Sequence, residues 1–490
     1  MIKKLFEVKY GDWEKGLSYE AGVFNNGIFK TFTNTDPFEN AGAFVPTQGT
    51  TEIGSGVIST SKSIRKILPV YVSEADQFYC LADDYKMYRI DYLPPVVDVS
   101  AQIGTGTATA IDMIKWKGGL VYAMSGEVRY NAIPVASGSD VQILSASPTS
   151  NLCLAPDRAV YVGISNNVGK ISSSAGTSGN TTSVATSLES NNIVKKLIAD
   201  GRYLLWIADA ETTSPSGEGL ITLAWWNMAA STFDDIQEFE GGSFRGAEKV
   251  GNIIQLLTTN GLWEASIGNG RPVCRIAFGS NGETLTASDA PLSSYFHGST
   301  GVHKENRMFW GTYQSSGNIF CYGNKTSGKP PRLFQMGTST DTAITAIASN
   351  NSKFVFATSG NTASGTRKLY ELRGSASLNT SIANLAGFSL GKPYTFHHAR
   401  VVTKSPISSG NSVSLQILTA NSAKTVLATS TKTNLTDPGE RNLVFKHVAA
   451  GDGSDVRLFE DLSDVKLTTN VAINSLEVWG EETNNQNSYA

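Results

Sequence analysis

Adjacent acidic residues stand at Asp83-Asp84 and Asp234-Asp235, and glycoside hydrolysis requires two carboxyl groups facing each other across a cleft. Neighbouring residues on an extended strand point to opposite faces, so neither doublet makes such a pair alone; both read as solvated loop residues. Asp452-Gly453-Ser454-Asp455 offers two carboxylates but lacks the further oxygen ligands of a calcium loop, and reads as a turn. The five histidines are His297, His303, the consecutive His397-His398 and His447, too dispersed for the convergent ligands of a zinc site. Cys80, Cys153, Cys274 and Cys321 lie far apart without a Cys-x-x-Cys pair, which predicts buried reduced thiols. No Gly-x-x-x-x-Gly-Lys-Ser/Thr run is present, and spacing alone supports no Ser-His-Asp triad. The expectation is a protein with no catalytic residues, no metal and no cofactor, and so not an enzyme.

Aromatic residues are the other chemistry on offer. Trp225, Trp226 and Trp263 could stack on a sugar or pack at a subunit interface, since indole combines large area with a polar handle. Two adjacent tryptophans on a strand must face opposite ways, and for Trp225-Trp226 the sheet core is the preferred reading over stacking. The basic doublets Lys3-Lys4 and Lys195-Lys196 lack aromatic interleaving and read as solvated edges.

Composition narrows the class. The 490 residues are 40% hydrophobic, enough for two or three domains with cores. With 40 Lys+Arg against 43 Asp+Glu, the net charge of -3 gives no broad field for nucleic acid or an anionic membrane. Glu7, Lys9 and Asp12 interrupt any signal-peptide core near the start, and no run reaches the roughly 20 apolar residues of a membrane span. A soluble chain with neither a signal peptide nor membrane insertion is the expectation.

What must position any site is a set of short strands. Seven units align: Arg65 to Asp91, Ala108 to Ile133, Ser150 to Ala175, Asn192 to Met228, Phe244 to Ile267, His297 to Gly323 and Ala343 to Gly374. Their starts fall roughly 40 to 55 residues apart, the span of a four-stranded propeller blade with variable loops. Each runs strand, polar turn, apolar strand, turn, strand. In the clearest, Ile193 to Ala199 leads through Asp200-Gly201 to Tyr203 to Ile207 and then Ile221 to Trp226. Middle strands such as Leu120 to Ala123 and Phe354 to Ala357 are continuous apolar runs, as strands covered on both faces should be. From about Leu385 the strands lengthen and alternate, among them His397 to Thr403, Ser412 to Leu418, Arg441 to Lys446 and Ile473 to Trp479, the pattern of a sandwich or jelly roll.

The resulting expectation is an all-β chain: a seven-bladed β-propeller over 61–384, a small β-sandwich over 385–481 and a polar tail over 482–490. Residues 1–60 form an N-terminal segment, with a strand around Phe24 to Phe32 completing the last blade. The Asp-box turns of sialidase-like propellers, the Gly-His and Trp-Asp pairs of WD repeats and a kelch array of Gly-Gly doublets are missing.

The stretch Gly22 to Lys30, continuing through Asp36-Pro37 to Phe44-Val45-Pro46, resembles the opening of tailed-bacteriophage virion proteins in which a propeller precedes a small sandwich. Arg400-Val401-Val402, the strand after Gly410 and the closing Ile473 to Trp479 resemble their C-terminal part. The resemblance implies a structural role in the tail or neck, in a homo-oligomeric ring with other virion proteins as partners, assembled in the host cytoplasm. It supplies no catalytic residues and no sequence-specific contact with nucleic acid. Two other classes stay open: a carbohydrate- or receptor-binding propeller, and a glycan-cleaving one.

Overall fold

A computed structural model of the chain describes side chains at 50–53, 63–71, 77–83, 86–90, 109–133, 135, 138–210, 219–258, 261–266, 307–311, 319–321, 323, 344–350, 353–358, 368–372 and 402–403, and elsewhere the backbone of the strands named below. Every regular element among the described residues is a strand, and the sheets are antiparallel. No helix among them is long and apolar enough to cross a membrane. The chain divides into two compact units, one of residues 50–319 and 339–372, the other of residues 1–49, 320–338 and 373–490.

In the 50–319/339–372 unit, strands follow one another as meanders, each pairing with the next in sequence. Ile64–Val72, Ala75–Ala82, Lys86–Tyr92 and Pro95–Gln102 form the first sheet. Ala110–Trp116, Gly119–Met124, Glu127–Ala132 and Val141–Ser145 form the second. The third has three strands, Leu152–Leu154, Val160–Ile164 and Asn167–Ile171. The fourth comprises Asn192–Asp200, Tyr203–Ala210, Leu220–Trp226 and Asp235–Glu240. The fifth comprises Phe244–Val250, Ile253–Thr258, Gly261–Gly268 and Arg271–Phe278. Thr300–His303 pairs with Arg307–Gly311, and a last sheet runs Ala343–Ser349, Phe354–Ser359, Lys368–Leu372. The strand starts thus lie close to the unit starts read from the sequence.

The local reasons are those the sequence carries. At Lys117-Gly118 both residues take positive φ, 46° and 77°, the conformation that a two-residue hairpin needs to match strand twist. The second strands are apolar throughout because sheets cover them on both sides: Leu120 to Met124 are all 0% exposed. Trp206, Tyr161 and Trp226 pack between the third and fourth sheets, and Trp225, Leu256 and Phe244 between the fourth and fifth. The first sheet packs against the last through Ile64, Phe78 and Cys80 on one side and Ala346, Val355 and Leu369 on the other. Contacts between neighbouring first strands run from Ile64–Val72 through each sheet in turn to Ala343–Ser349, which touches Ile64–Val72 again.

The last sheet gains its fourth strand from far upstream. Thr51–Ile53 pairs with Lys368–Leu372 in the register Leu369 to Ile53, Tyr370 to Glu52 and Glu371 to Thr51. The expectation that Phe24 to Phe32 fills this place is corrected: Phe29–Thr33 pairs instead with Ser381–Leu385 in the other unit, and residues 24–28 lie outside the described residues. Both segments alternate acceptably for a strand, and pairing across more than 300 residues has no local signature.

The other unit holds two sheets whose strands come from both ends of the chain. One has the order Leu5–Tyr10, Ile473–Glu482, Tyr394–Thr403, Asn442–Lys446. The second has the order Phe29–Thr33, Ser381–Leu385, Asp464–Leu467, Val413–Ala420, Val426–Leu435. A division at 60 and 385 leaves the strands at 5–10, 29–33 and 381–385 outside this unit; their hydrogen bonds put them in it.

Candidate functional site

Lys66, Asp112 and Lys196 stand on first strands of the meander unit, each beside a β-bulge. Register slips at Ile64/Lys66, Ala110/Asp112, Val194/Lys196, Phe244/Gly246 and Ile344/Ala346, the same point in five first strands. A bulge inserts an extra residue and re-aims the side chains around it. Here it places Lys66, Asp112 and Lys196 where neighbouring first strands meet.

Asp112 is 1% exposed. Its Oδ1 lies 2.8 Å from Lys66 Nζ in the first sheet, and its Oδ2 accepts the Leu152 amide of the third at 2.9 Å. Asn151, also buried, continues the chain: its Oδ1 accepts the Leu197 amide at 2.7 Å and its Nδ2 donates to the Leu197 carbonyl at 3.0 Å. Lys196 then reaches the fifth sheet, with Nζ 3.0 Å from Glu248 Oε1. Five consecutive sheets are tied through side chains in this way. Burial works to lower the Lys66 pKa, yet Asp112 beside it, with the more distant charge of Glu248, holds it above the ordinary lysine value.

The chemistry open to this belt is limited because its charges are already matched. Both oxygens of the Asp112 carboxylate are already engaged, one by an ammonium and one by an amide. Cys153, next to Leu152, is no activated nucleophile: burial pushes its thiol up to about 12, and Lys196 offsets this only in part. Burial raises the Cys80 thiol as well. Cys80, Cys153 and Cys321 are buried thiols outside any disulfide, as the spacing predicted. Among the described residues no group of three or more His, Cys, Asp or Glu could hold a metal.

A second cluster sits on the turn of the third sheet. Tyr161 Oη donates to Asp157 Oδ2 at 2.8 Å, Lys170 Nζ approaches the same oxygen at 2.9 Å, and the Ala159 amide donates to Oδ1 at 3.1 Å. Burial favours the neutral acid, but these bonds outweigh it and hold Asp157 below the usual carboxylate range. The arrangement pins a turn in which Arg158 takes a positive φ of 65°.

The residues singled out from the sequence are not brought together. Trp225 and Trp226 are 1% and 3% exposed and point into different cores, one shared with the fifth sheet and one with the third. Their indoles lie in sheet cores, the reading preferred for this pair, and the stacking alternative falls; the strand's alternation and the apolar surface on both sides of it are the cause. Trp263 lies against Phe239, ring centroids 4.4 Å apart, and donates Nε1 to Thr258 Oγ1 at 3.1 Å, so it too is engaged inside the chain. Lys195-Lys196 is no solvated edge: Lys196 is buried on Glu248, and Lys195 Nζ lies 3.6 Å from Asp209 Oδ1. Asp83 pairs with Arg65 Nε at 2.7 Å, and Asp234 accepts the Asn227 amide at 3.1 Å within a turn. His297, His447 and 452–455 lie outside the described residues.

The belt itself escaped the sequence reading, although a signal existed. Charged or amide residues recur in the first half of the aligned first strands or just before them, in Arg65-Lys66, Asp112, Asn151 and Lys195-Lys196.

No protein-family model matches the chain, and no curated protein matches it. Among solved structures it is similar to the crystal structure of the WD40 beta propeller domain of Doa1, at 11% identity over 67% of this chain and 97% of that one, with a TM-score of 0.43. It is also similar to the computationally designed Ika8 protein, at 12% identity over 63% of this chain and 96% of that one, with a TM-score of 0.37.

Proposed function

We propose that this chain is a structural component of a tailed-bacteriophage virion, in the tail or neck, built as a closed seven-bladed β-propeller with a β-sandwich. It acts through protein-protein contacts in a ring, with other virion proteins as partners. The observation that carries the reading is the use made of the buried charges. Lys66, Asp112, Lys196 and Glu248 face one another in pairs across sheets, and Asn151 joins backbone to backbone. Groups spent on cohesion suit a protein that bears load better than one that turns over a substrate. Closure is supported by the packing of the last sheet on the first and by the strand Thr51–Ile53, which joins distant parts of the chain in one sheet. The phage assignment itself rests on the N- and C-terminal resemblance.

Electron microscopy of the purified full chain beside its native source tests this reading. A ring of this chain on a tailed particle is the expected result. A free monomer that binds or cleaves glycans in an array screen overturns it.

A further inference from the structure

We infer that Lys195 and Arg245 form a binding site for a carboxylate or similar small oxyanion at the junction of the fourth and fifth sheets. Both are the extra residues of bulges, Lys195 between Val194 and Lys196 and Arg245 between Phe244 and Gly246, so matching irregularities on neighbouring first strands present them. Both act on one acid, Asp209: Lys195 Nζ stands close to its carboxylate, and the charge of Arg245 is felt there. Asp209 carries the strand position opposite Ile193, two residues from Lys195, and its Oδ2 accepts the Phe244 amide at 3.1 Å.

Two cations therefore face one carboxylate that already has an amide to serve. Lys195 Nζ stays 3.6 Å from Asp209 Oδ1, longer than a charge-assisted hydrogen bond. The Arg245 Nε is buried and has no hydrogen-bond acceptor among the described residues. A planar guanidinium offers donors in a fork that fits two oxygens of a carboxylate or phosphate. Burial lowers the Arg245 pKa and raises that of Asp209, in keeping with a cluster whose charges lack full compensation. Access exists: Lys195 keeps 27% of its side-chain surface and Asp209 13%. The contrast with the belt one residue further along is direct, since there Lys196 is matched by Glu248 at 3.0 Å. The oxyanion has two possible sources, an acidic side chain of a neighbouring protein or a free small anion, and the site does not depend on the assembly reading.

Calorimetric titration of the full chain at constant ionic strength tests the site, with sodium acetate, inorganic phosphate and a tetraglutamate peptide as probes. Saturable binding at one site per chain is expected. Arg245→Gln should weaken it about tenfold, the scale of one charge-assisted hydrogen bond. Lys195→Gln should weaken it less, and Arg245→Lys, which keeps the charge but loses the fork, should fall between wild type and Arg245→Gln. Lys115→Gln, an exposed control bonded only to the Tyr71 carbonyl at 3.2 Å, should leave it unchanged. Tighter binding of the peptide than of acetate assigns the site to a protein side chain; equal binding assigns it to a free anion. No saturable binding by any probe, or binding untouched in folded Arg245→Gln and Arg245→Lys, overturns the inference.

Discussion

Both carboxylate oxygens of Asp112 are used by other sheets, which makes it the most consequential single residue of the belt. Removing one partner of a buried pair leaves the other charge and the donor uncompensated, at about 3 kcal/mol or more. Asp112→Ala is therefore expected to lower stability by about 3 kcal/mol in urea unfolding. Asp112→Asn, which can still accept from the Leu152 amide, should cost clearly less; equal costs would show that the amide bond contributes nothing. Asp157 and Lys170 make a prediction about pH. The Asp157 pKa lies below its ordinary 3.8 in the folded chain, so its contribution is present above 3.8 and fades as pH falls through the lowered value. The Lys170 pKa lies above 10.5, so its contribution is full below 10.5 and fades as pH rises through the raised value. Asp157→Asn should thus reduce the melting temperature through the neutral range and converge on wild type in strong acid. A difference that persists at the acid end would refute the assignment. The doublets Asp83-Asp84 and Lys195-Lys196 illustrate what sequence leaves open at this scale: pairing depends on which strands become neighbours, and side-chain chemistry does not state that.

At the scale of elements, the chain's own regularities set most of the outcome. Second strands were legible because covering both faces requires an unbroken apolar run, and turns because Gly118 and Gly201 supply positive φ. Close approach of sheets adds a constraint that the sequence does not announce: a Cβ on Gly311 would fall 2.3 Å from Ile344 Cγ2, so the strand Arg307–Gly311 must present a bare backbone to its neighbour. The weakest join is Thr51–Ile53, three residues long, with Lys368 Nζ 3.0 Å from Glu52 Oε2 and Ile53 packed on the core between the last and first sheets. Ile53→Asp places a charge against that core and should cost about 2 kcal/mol by urea unfolding. Deleting residues 1–35 leaves this strand in place and should spare the 50–319/339–372 unit, contrary to a closing role for Phe24 to Phe32; loss of its cooperative transition on that deletion would restore the earlier assignment.

For the whole molecule, the proposed ring makes a cooperative claim. If each sheet depends on both neighbours, the first-strand amides of 64–72, 110–116, 192–200 and 343–349 should share one opening free energy in native-state hydrogen exchange. Ile53→Asp should then lower protection in all of them together. Protection lost only in 343–372 would mean that the sheets stand independently and that closure contributes no cohesion. The assembly proposal belongs to this scale as well, since a net charge of -3 neither drives nor forbids self-association.

The sequence by itself determined that this chain is all-β, where its repeated strands begin, which strands are covered on both faces and that its described cysteines are buried thiols. These follow from periodicity, turn chemistry and composition, which act over a few residues. Tertiary structure alone decided that Thr51–Ile53 rather than Phe24 to Phe32 completes the last sheet, that strands at 5–10 and 29–33 join those from 381–482, and which neighbouring sheet each of Trp225 and Trp226 packs against. It also decided that Lys66 pairs with Asp112 and Lys196 with Glu248 across sheets, while Lys195 stands on Asp209. The physical reason is common to all of these. Each depends on a meeting of segments tens to hundreds of residues apart, settled by the free energy of the whole packed arrangement and carried by no local stretch of chain.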